Sequence, residues 1–229
     1  MPKLPLDRII RGDALRILPQ LRKHSVDLIV TDPPYGDNVR YGPQNIRIAG
    51  NEHPLRALSV MGLSYRVLKR NSTAYMFCSI RHLDFAHAFF SRYTSFRLRE
   101  VIIWNKLSMG VGKAFRKQYE CILVLEKGKP KYRDPKMLNL LSVSRVRSRE
   151  HPHVKPVELI KQLIRHSSDK GAVVLDPFIG TGTTAVAAHT LSRHFIGIEI
   201  DKGYCRIART RLTTLNEHPP TDLSFSLAP

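Results

Sequence analysis

The chain has 229 residues, of which 42% are hydrophobic, so one packed domain is expected rather than a disordered chain. No apolar run approaches the roughly 18 residues of a membrane span, and the N-terminus lacks a signal-peptide pattern, which favours a cytoplasmic protein without membrane attachment. The formal net charge of +18, from 37 Lys and Arg against 19 Asp and Glu, indicates a polyanionic partner, most often a nucleic acid, with solubility alone as the alternative.

Along the chain, apolar runs rich in β-branched residues alternate with helical patterns. The predicted strands are 8–11, 26–31, 74–78, 98–104, 121–125, 172–175 and 194–198, and the predicted helices are 56–68, 83–93, 156–164, 183–191 and 204–212. This alternation predicts a mostly parallel sheet with helices on both faces. The strands at 98–104 and 121–125 have no helix-like link, so they are expected to form an antiparallel edge.

The sequence predicts a single domain over residues 1–216, followed by a loosely ordered tail over 217–229. Two segments interrupt the alternation. Residues 37–53 are rich in Gly, Asn, Pro and Arg and predict a long mobile loop. Residues 127–149 carry eight Lys or Arg side chains and predict a short basic insertion. The three cysteines lack metal-site spacing, so we expect buried thiols and neither a disulfide nor a zinc site.

The segment VVLDPFIGTGTTAVAAH (173–189) has the pattern of a strand, a glycine turn and a helix. The strand ends at Asp176, the turn contains Gly180 and Gly182, and the helix begins near Thr183. This layout predicts a small-molecule site at the carboxyl end of the strand. The turn matches neither GxxxxGK[ST] nor GxGxxG, which favours a nucleoside-type ligand over a triphosphate or a dinucleotide. A tight turn before a capped helix is the alternative.

The next predicted strand ends in HFIGIEID, which places Glu199 at its carboxyl end. An acid at this position commonly binds ribose hydroxyls. Asp201 is close enough to share that role, or it caps the following helix.

In SVDLIVTDPPYG, Asp32 follows an apolar strand and is expected on the same rim as the glycine turn. Pro33 and Pro34 fix the backbone after it. The Asp32 carboxylate and a fixed neighbouring carbonyl together form two acceptors for the two hydrogens of an NH₂ group, and Tyr35 offers a flat face for an aromatic ring. A proline-stiffened turn with an aspartate cap remains the alternative.

Three segments, DPPY (32–35), HPHVKP (151–156) and DPFIGTGTT (176–184), resemble the amino-group DNA methyltransferases that use S-adenosylmethionine. RGDALRIL (11–18) and VIIWNK (101–106) are also similar to family segments. DPPY precedes the glycine turn, which is similar to the circularly permuted β class of adenine-N6 and cytosine-N4 enzymes. Protein glutamine methyltransferases differ, since they carry an NPPY element after the cofactor loop.

The resemblance implies an α/β, Rossmann-like methyltransferase fold with a seven-stranded, mostly parallel sheet. It implies S-adenosylmethionine as the cofactor, and no metal. The implied cofactor-binding residues are Asp13, Ala14, Asp32, Lys155, Asp176, Phe178, Gly180, Gly182, Thr183, Thr184 and Glu199. Among these, Glu199 would bind the ribose, Asp13 and the Ala14 backbone would lie by the adenine, and Lys155 would approach the cofactor carboxylate.

The catalytic residues implied by the resemblance are Asp32, Pro33, Pro34 and Tyr35. An exocyclic amine is a poor nucleophile because it is conjugated with the base. Acceptance of its hydrogens by Asp32 and the Pro33 carbonyl would localise the nitrogen lone pair for attack on the methyl group. The amine is buried in a duplex, so base flipping is implied, with Tyr35 as a stacking surface.

We expect the two basic segments to flank bound double-stranded DNA. The predicted contacts are Arg40, Arg47, Lys129, Lys131, Arg133, Arg145, Arg147 and Arg149, and a solvated charged face is the alternative. The family usually carries a longer target-recognition region than residues 127–149, which leaves the source of sequence specificity open.

The sequence therefore predicts a site-specific adenine-N6 DNA methyltransferase of the kind found in restriction–modification systems. Cytosine-N4 enzymes of the family more often have serine where Asp32 stands. Cytosine-N4 methylation, RNA methylation and DNA binding without catalysis are the alternatives. Members of the family often pair, so a homodimer is also expected.

Overall fold

The computed structural model describes residues 4–35, 54–110, 114–146 and 154–217. Its strands are β1 (Arg8–Arg11), β2 (Val26–Thr31), β3 (Leu68–Cys78), β4 (Arg97–Asn105), β5 (Tyr119–Lys127), β6 (Leu140–Ser142), β7 (Val173–Asp176) and β8 (His194–Glu199). Its helices are α1 (Ala14–Ile17), α2 (Pro54–Val67), α3 (Leu83–Tyr93), α4 (Val157–Ser167), α5 (Thr183–Thr190) and α6 (Lys202–Glu217). The predicted loop at 37–53 and all but the first residue of the predicted tail at 217–229 lie outside the described residues.

Within the described residues, the strands form one sheet in the order β1-β8-β7-β2-β3-β5-β4-β6. Strand β5 is antiparallel to both of its neighbours, and every other pairing is parallel. The predicted mostly parallel sheet and the antiparallel pairing of β4 with β5 are confirmed. The described sheet has eight strands instead of seven, because β6 pairs with the outer side of β4 and forms the edge there.

Helices cover both faces of the sheet, as predicted. The central strand β2 shows why both faces must be covered, since Leu28, Ile29 and Val30 are all fully buried. Ile29 packs into the core shared with α2 and α3, whereas Leu28 and Val30 pack into the core shared with α4 and α5. Each such side chain contributes about 2 kcal/mol through burial. The two cores together hold the strands of the sheet in register.

The strand directions define two edges of the sheet. The side of the sheet where the parallel strands end is called the carboxyl edge, and the side where they begin is called the amino edge. Both names refer to strand ends and not to the outermost strands. The parallel strands concerned are β1, β2, β3, β7 and β8. The reversed strand β5 starts at the carboxyl edge, where Cys121 pairs with Cys78. It ends at the amino edge, where Lys127 pairs with Ser72. The residues that follow the parallel strands and those that begin β5 are therefore neighbours in space.

One strand differs from the sequence prediction in a way that matters below. Strand β3 begins at Leu68, directly after α2, although residues 69–72 are polar. Those residues reach the amino edge, beyond the part of the strand that both cores cover. The predicted burial of the thiols of Cys78, Cys121 and Cys205 is confirmed. No helix within the described ranges is long and apolar enough to span a membrane.

Candidate active site

A cavity of about 920 Å³ opens at the carboxyl edge of the sheet. Its wall is formed by the segments that follow β1, β2, β7 and β8, by the start of β5 and by the residues before α4. The predicted site residues that line it are Asp13, Ala14, Asp32, Pro33, Pro34, Tyr35, Lys155, Asp176, Phe178, Gly180, Thr183, Thr184 and Glu199. Residues from five separate parts of the chain thus share one cavity, as the parallel topology requires.

The two glycines of the turn have different roles. Gly180 has a φ of +51°, and a Cβ built there would meet no atom closer than 4.0 Å, so the backbone turns openly along the cavity wall. Gly182 has a φ of +89°, and a Cβ there would lie 2.9 Å from the Cβ of Ala208 in α6. Gly182 is required for the close packing of α5 on α6, and the structure does not bring it into the cavity wall.

Asp176 connects three segments of the chain through hydrogen bonds at the cavity wall. Its carboxylate accepts hydrogen bonds from the Thr31 hydroxyl (2.6 Å), the Thr184 hydroxyl (2.7 Å) and the Phe178 backbone N–H (3.0 Å). Burial raises the pKa of Asp176 to about 7, even though all three hydrogen bonds favour the ionised form. The network therefore fixes the ends of β2 and β7 and the start of α5 relative to one another.

The raised pKa of Asp176 predicts a pH-dependent stability. Between its ordinary value of 3.8 and about 7, the folded chain holds a proton that the unfolded chain lacks, so stability falls as pH rises. In Asp176→Asn this titration is gone. Denaturant unfolding of both proteins is measured from pH 5 to 9. Relative to the variant, the free energy of unfolding of the wild type should fall by on the order of 1.4 kcal/mol per pH unit up to about pH 7 and stay constant above it. Parallel curves for the two proteins would contradict the assignment.

Glu199 stands at the carboxyl end of β8, as predicted. Its carboxylate accepts hydrogen bonds from the backbone N–H groups of Gly180 (3.0 Å) and Asp201 (2.8 Å), and burial raises its pKa. Asp201 itself accepts a hydrogen bond from the Tyr204 backbone N–H (2.8 Å) and caps α6. Glu199 is thereby held in one orientation at the cavity wall.

Asp13 begins α1 after β1. One carboxylate oxygen caps the helix by accepting the Leu15 N–H (3.0 Å), and the other lies 2.9 Å from the Arg56 guanidinium. Ala14 is buried beside it and also lines the cavity. The cap explains why the chain turns sharply here and keeps this segment against the cavity.

Asp32 belongs to a network of charged groups that also line the cavity. The Tyr35 hydroxyl donates to Asp32 Oδ1 (2.7 Å) and to Glu120 Oε2 (3.2 Å). The Lys155 ammonium is bonded to Asp32 Oδ2 and lies 3.2 Å from Glu120 Oε2. Lys106 completes the network, 3.3 Å from Glu120 Oε1. Two carboxylates thus share two ammonium groups and one phenol.

The charges in this network stabilise one another. Burial alone would lower the pKa of Lys155, but Asp32 and Glu120 outweigh it and raise that pKa. Burial alone would raise the pKa of Glu120, but Lys155 and Lys106 outweigh it and lower that pKa. Burial and the two carboxylates raise the pKa of Tyr35 well above its ordinary value. At neutral pH, Lys155 and Glu120 are therefore charged, and Tyr35 is a neutral donor.

The network contains members that the sequence analysis missed. Glu120 lies next to the first residue of β5, and only the reversal of β5 brings it beside Asp32. Lys106 directly follows β4, the strand paired with β5. Lys155 was expected near a cofactor carboxylate. In the structure, its ammonium group forms ion pairs with Asp32 and Glu120 and lies 5.0 Å from the centre of the Phe77 ring. The sequence signal that could have identified Glu120 is an acidic residue directly before the apolar run predicted as strand 121–125.

The predicted DNA-contacting residues do not share one location. Lys129, Lys131 and Arg133 follow β5 and therefore lie at the amino edge, away from the cavity. Arg145 follows β6 and reaches the carboxyl edge, where its N–H donates to the Lys106 carbonyl (3.4 Å). The two ends of the basic insertion therefore lie at opposite edges, because β5 and β6 leave the sheet in opposite directions. Arg40, Arg47, Arg147 and Arg149 fall in ranges for which no position is described.

A parallel sheet with a glycine turn and two acids at adjacent strand ends defines an α/β protein that binds a nucleoside-type ligand at its carboxyl edge. A DNA methylase family model matches residues 26–210 of the chain, which therefore belongs to the DNA methylase family. Such enzymes are DNA methyltransferases, and their methyl donor is S-adenosylmethionine. The resemblance drawn from the sequence and the expected cofactor are confirmed.

Individual relatives agree with this assignment. The DNA adenine methyltransferase YhdJ of Escherichia coli (strain K12) is 29% identical over 94% of this chain and 86% of its own length. The type II methyltransferase M.HpaI of Haemophilus parainfluenzae is 28% identical over 90% of this chain and 74% of its own. The crystal structure of M1.HpyAVI in complex with S-adenosylmethionine has a TM-score of 0.71, with 27% identity over 89% of this chain and 98% of that chain.

Proposed function

We propose that this chain transfers a methyl group from S-adenosylmethionine to the exocyclic N6 amine of adenine in double-stranded DNA. The observation that carries the proposal is the position of Asp32, Pro33 and Tyr35 on the wall of the same cavity as Asp176 and Glu199. The residues proposed to bind the amine and the residues proposed to bind the cofactor therefore face the same cavity.

The cavity fits S-adenosylmethionine in size and chemistry. Its volume of about 920 Å³ lies in the range of cofactor sites. Glu199 presents an oriented carboxylate for ribose hydroxyls, Gly180 leaves open space beside the turn, and Asp13 and Ala14 line the wall for the adenine. When bound, S-adenosylmethionine supplies a methyl group on a positively charged sulfur, which suits a wall that carries several carboxylates.

Asp32 would act on the amine as a hydrogen-bond acceptor. Its carboxylate is held by Tyr35 on one oxygen and by Lys155 on the other, and each oxygen retains a lone pair for a further hydrogen. Acceptance of one amine hydrogen by Asp32 and of the other by the Pro33 carbonyl raises the electron density on nitrogen. The same carboxylate stands ready to receive the proton that the methylated amine must lose. Catalysis then rests on positioning and electrostatics.

Tyr35 would contact the flipped base, and basic side chains near the cavity mouth would contact the DNA backbone. The Tyr35 ring lines the cavity and its hydroxyl is tied to Asp32, so the ring is fixed as a stacking surface. Arg116 and Lys117 line the cavity mouth, and Arg145 lies at the same edge. We infer that these three side chains contact phosphates next to the target base.

The identity of the methylated base is tested by product analysis. Purified protein is incubated with tritiated S-adenosylmethionine and mixed-sequence duplex DNA, and the DNA is then digested to nucleosides. We expect the label in N6-methyl-2′-deoxyadenosine, because the chain has Asp at position 32 and because a relative is named as an adenine methyltransferase. Single-stranded RNA serves as the competing substrate. Label in N4-methylcytosine, or preferential labelling of RNA, would overturn the proposal.

A further inference from the structure

The amino edge of the sheet carries a strongly basic surface that the proposed function does not use. Five of its exposed cations, none with an ion-pair partner among the described carboxylates, lie on neighbouring segments: Arg70, Arg99, Lys129, Lys131 and Lys170. They come from β3, β4, the segment after β5 and the turn before β7. We call these five residues the amino-edge basic face.

Hydrogen bonds join the parts of this face into one surface. The Lys129 N–H donates to the Asn71 side chain (3.0 Å), which fixes Lys129 beside Arg70. The Arg133 N–H donates to the His166 carbonyl (2.9 Å), which docks the segment after β5 onto the end of α4, close to Lys170. The face is therefore built on strand ends and a helix end that these hydrogen bonds connect.

Three of the acids at this edge are paired with cations outside the amino-edge basic face. Asp27 is paired with Lys69 (2.6 Å), Asp169 is paired with Arg133 (2.6 Å), and the nearly buried Glu126 is paired with Arg97. Asp27 also accepts the Val173 N–H (2.9 Å). These acids neutralise the cations that they bind. Lys131 also interacts with Asp169, and the side chain of the exposed Asp134 accepts the Lys136 N–H (2.9 Å), so the five cations of the amino-edge basic face outnumber the acids near them. A surface of this kind attracts a polyanion.

The amino-edge basic face is too far from the cavity to hold the same stretch of DNA. The 11 residues of β3 run from one edge to the other, which corresponds to about 35 Å. Duplex DNA resists bending over lengths of up to about 50 nm, so a duplex that crosses the cavity mouth does not curve round the sheet to the opposite edge.

We propose that the amino-edge basic face binds the phosphate backbone of a second duplex segment while the cavity holds the first. The contact is independent of base sequence, since Lys and Arg side chains on an open surface meet phosphates rather than base edges. The protein then bridges two DNA segments, or two distant parts of one molecule. This goes beyond the proposed methyl transfer, and the two stand or fall separately.

The test compares two triple variants that each remove three positive charges. One is Lys129→Gln, Lys131→Gln and Lys170→Gln, within the face. The matched control is Arg16→Gln, Arg92→Gln and Arg206→Gln, at exposed helix positions elsewhere. Full-length protein on a bead-tethered duplex is offered a fluorescent second duplex over a salt series, and methyl transfer to the first duplex is measured in parallel.

We expect the face variant to capture the second duplex about tenfold less well, with a salt slope smaller by about 2 to 3, as the loss of three phosphate contacts requires. Its methyl transfer should stay at the wild-type level, and the control variant should bridge normally. Unchanged capture by the face variant, or an equal loss in both variants, overturns the proposal. Loss of methyl transfer together with capture would place the lysines on the substrate duplex instead.

Discussion

Asp32→Asn is expected to lower the rate of methyl transfer about a hundred- to a thousandfold, while binding of DNA and S-adenosylmethionine is retained. The substitution keeps the shape of the side chain but replaces a carboxylate acceptor by an amide, which cannot draw both the amine hydrogen and the Tyr35 hydroxyl in the same way. Loss of one electrostatic group aimed at a reacting atom typically costs this much. Single-turnover transfer of a tritiated methyl group measures the rate directly.

The control for this prediction is Asp84→Asn, which removes the same charge from an exposed position at the start of α3. Its transfer rate should equal that of wild type. Equilibrium binding of labelled DNA to each protein separates a chemical defect from a binding defect. A rate for Asp32→Asn within a few-fold of wild type would remove Asp32 from the proposed catalytic role.

Lys155→Met is expected to be both unstable and nearly inactive. Lys155 is 8% exposed, and its ammonium holds the carboxylates of Asp32 and Glu120 together. Without that cation, two carboxylates face each other with only Lys106 and Tyr35 to balance them. Removal of one partner from a buried ion pair costs about 3 kcal/mol of unfolding free energy. Denaturant titration gives the stability, and the transfer assay gives the activity.

The pH dependence of that loss identifies its cause. In the wild type, the lowered pKa of Glu120 contributes stability above its ordinary value of 4.5, and this contribution is lost as pH falls through the folded-state value. The stability difference between wild type and Lys155→Met should therefore be largest at neutral pH and shrink in acid. A difference that is constant with pH would point to lost packing against Phe77 rather than to lost charge.

A second variant separates stability from function at Lys155. Lys155→Met combined with Glu120→Gln removes the excess carboxylate, so the unfolding free energy should recover to within about 1 kcal/mol of wild type. Methyl transfer should stay low, because Asp32 still lacks the cation that holds it. Recovery of transfer along with stability would show that Lys155 only supports the fold.

The parts of the fold that the sequence predicted well are those where burial dictates the residues. Strands β1 and β2 have the predicted bounds, since their runs are rich in β-branched residues. The carboxyl edge followed from the alternation of strands and helices, which placed Asp32, Asp176 and Glu199 on one rim. A parallel sheet must be covered on both faces, so its strands are nearly continuous apolar runs that can be recognised in the local sequence.

The parts that the sequence did not predict depend on contacts between distant segments. Strand β6 has three residues, two of them exposed, so no local pattern marks it. Glu120 reaches Asp32 only because the reversed strand β5 lies beside β3. The sequence predicted that β4 and β5 are antiparallel, but no local signal shows which of the two pairs with β3. The same reversal sends Lys129 and Lys131 to the amino edge, although in sequence they belong to the same basic run as Arg145.

The most direct test of the central claim is a map of modified bases in DNA from cells that lack their own adenine methylation. One culture expresses the wild-type chain and the other expresses Asp32→Asn. We expect N6-methyladenine at a defined sequence context in the first culture and at background level in the second. Equal methylation in both cultures, or modification confined to cytosine, would contradict the assignment of Asp32 and its cavity to adenine-N6 transfer.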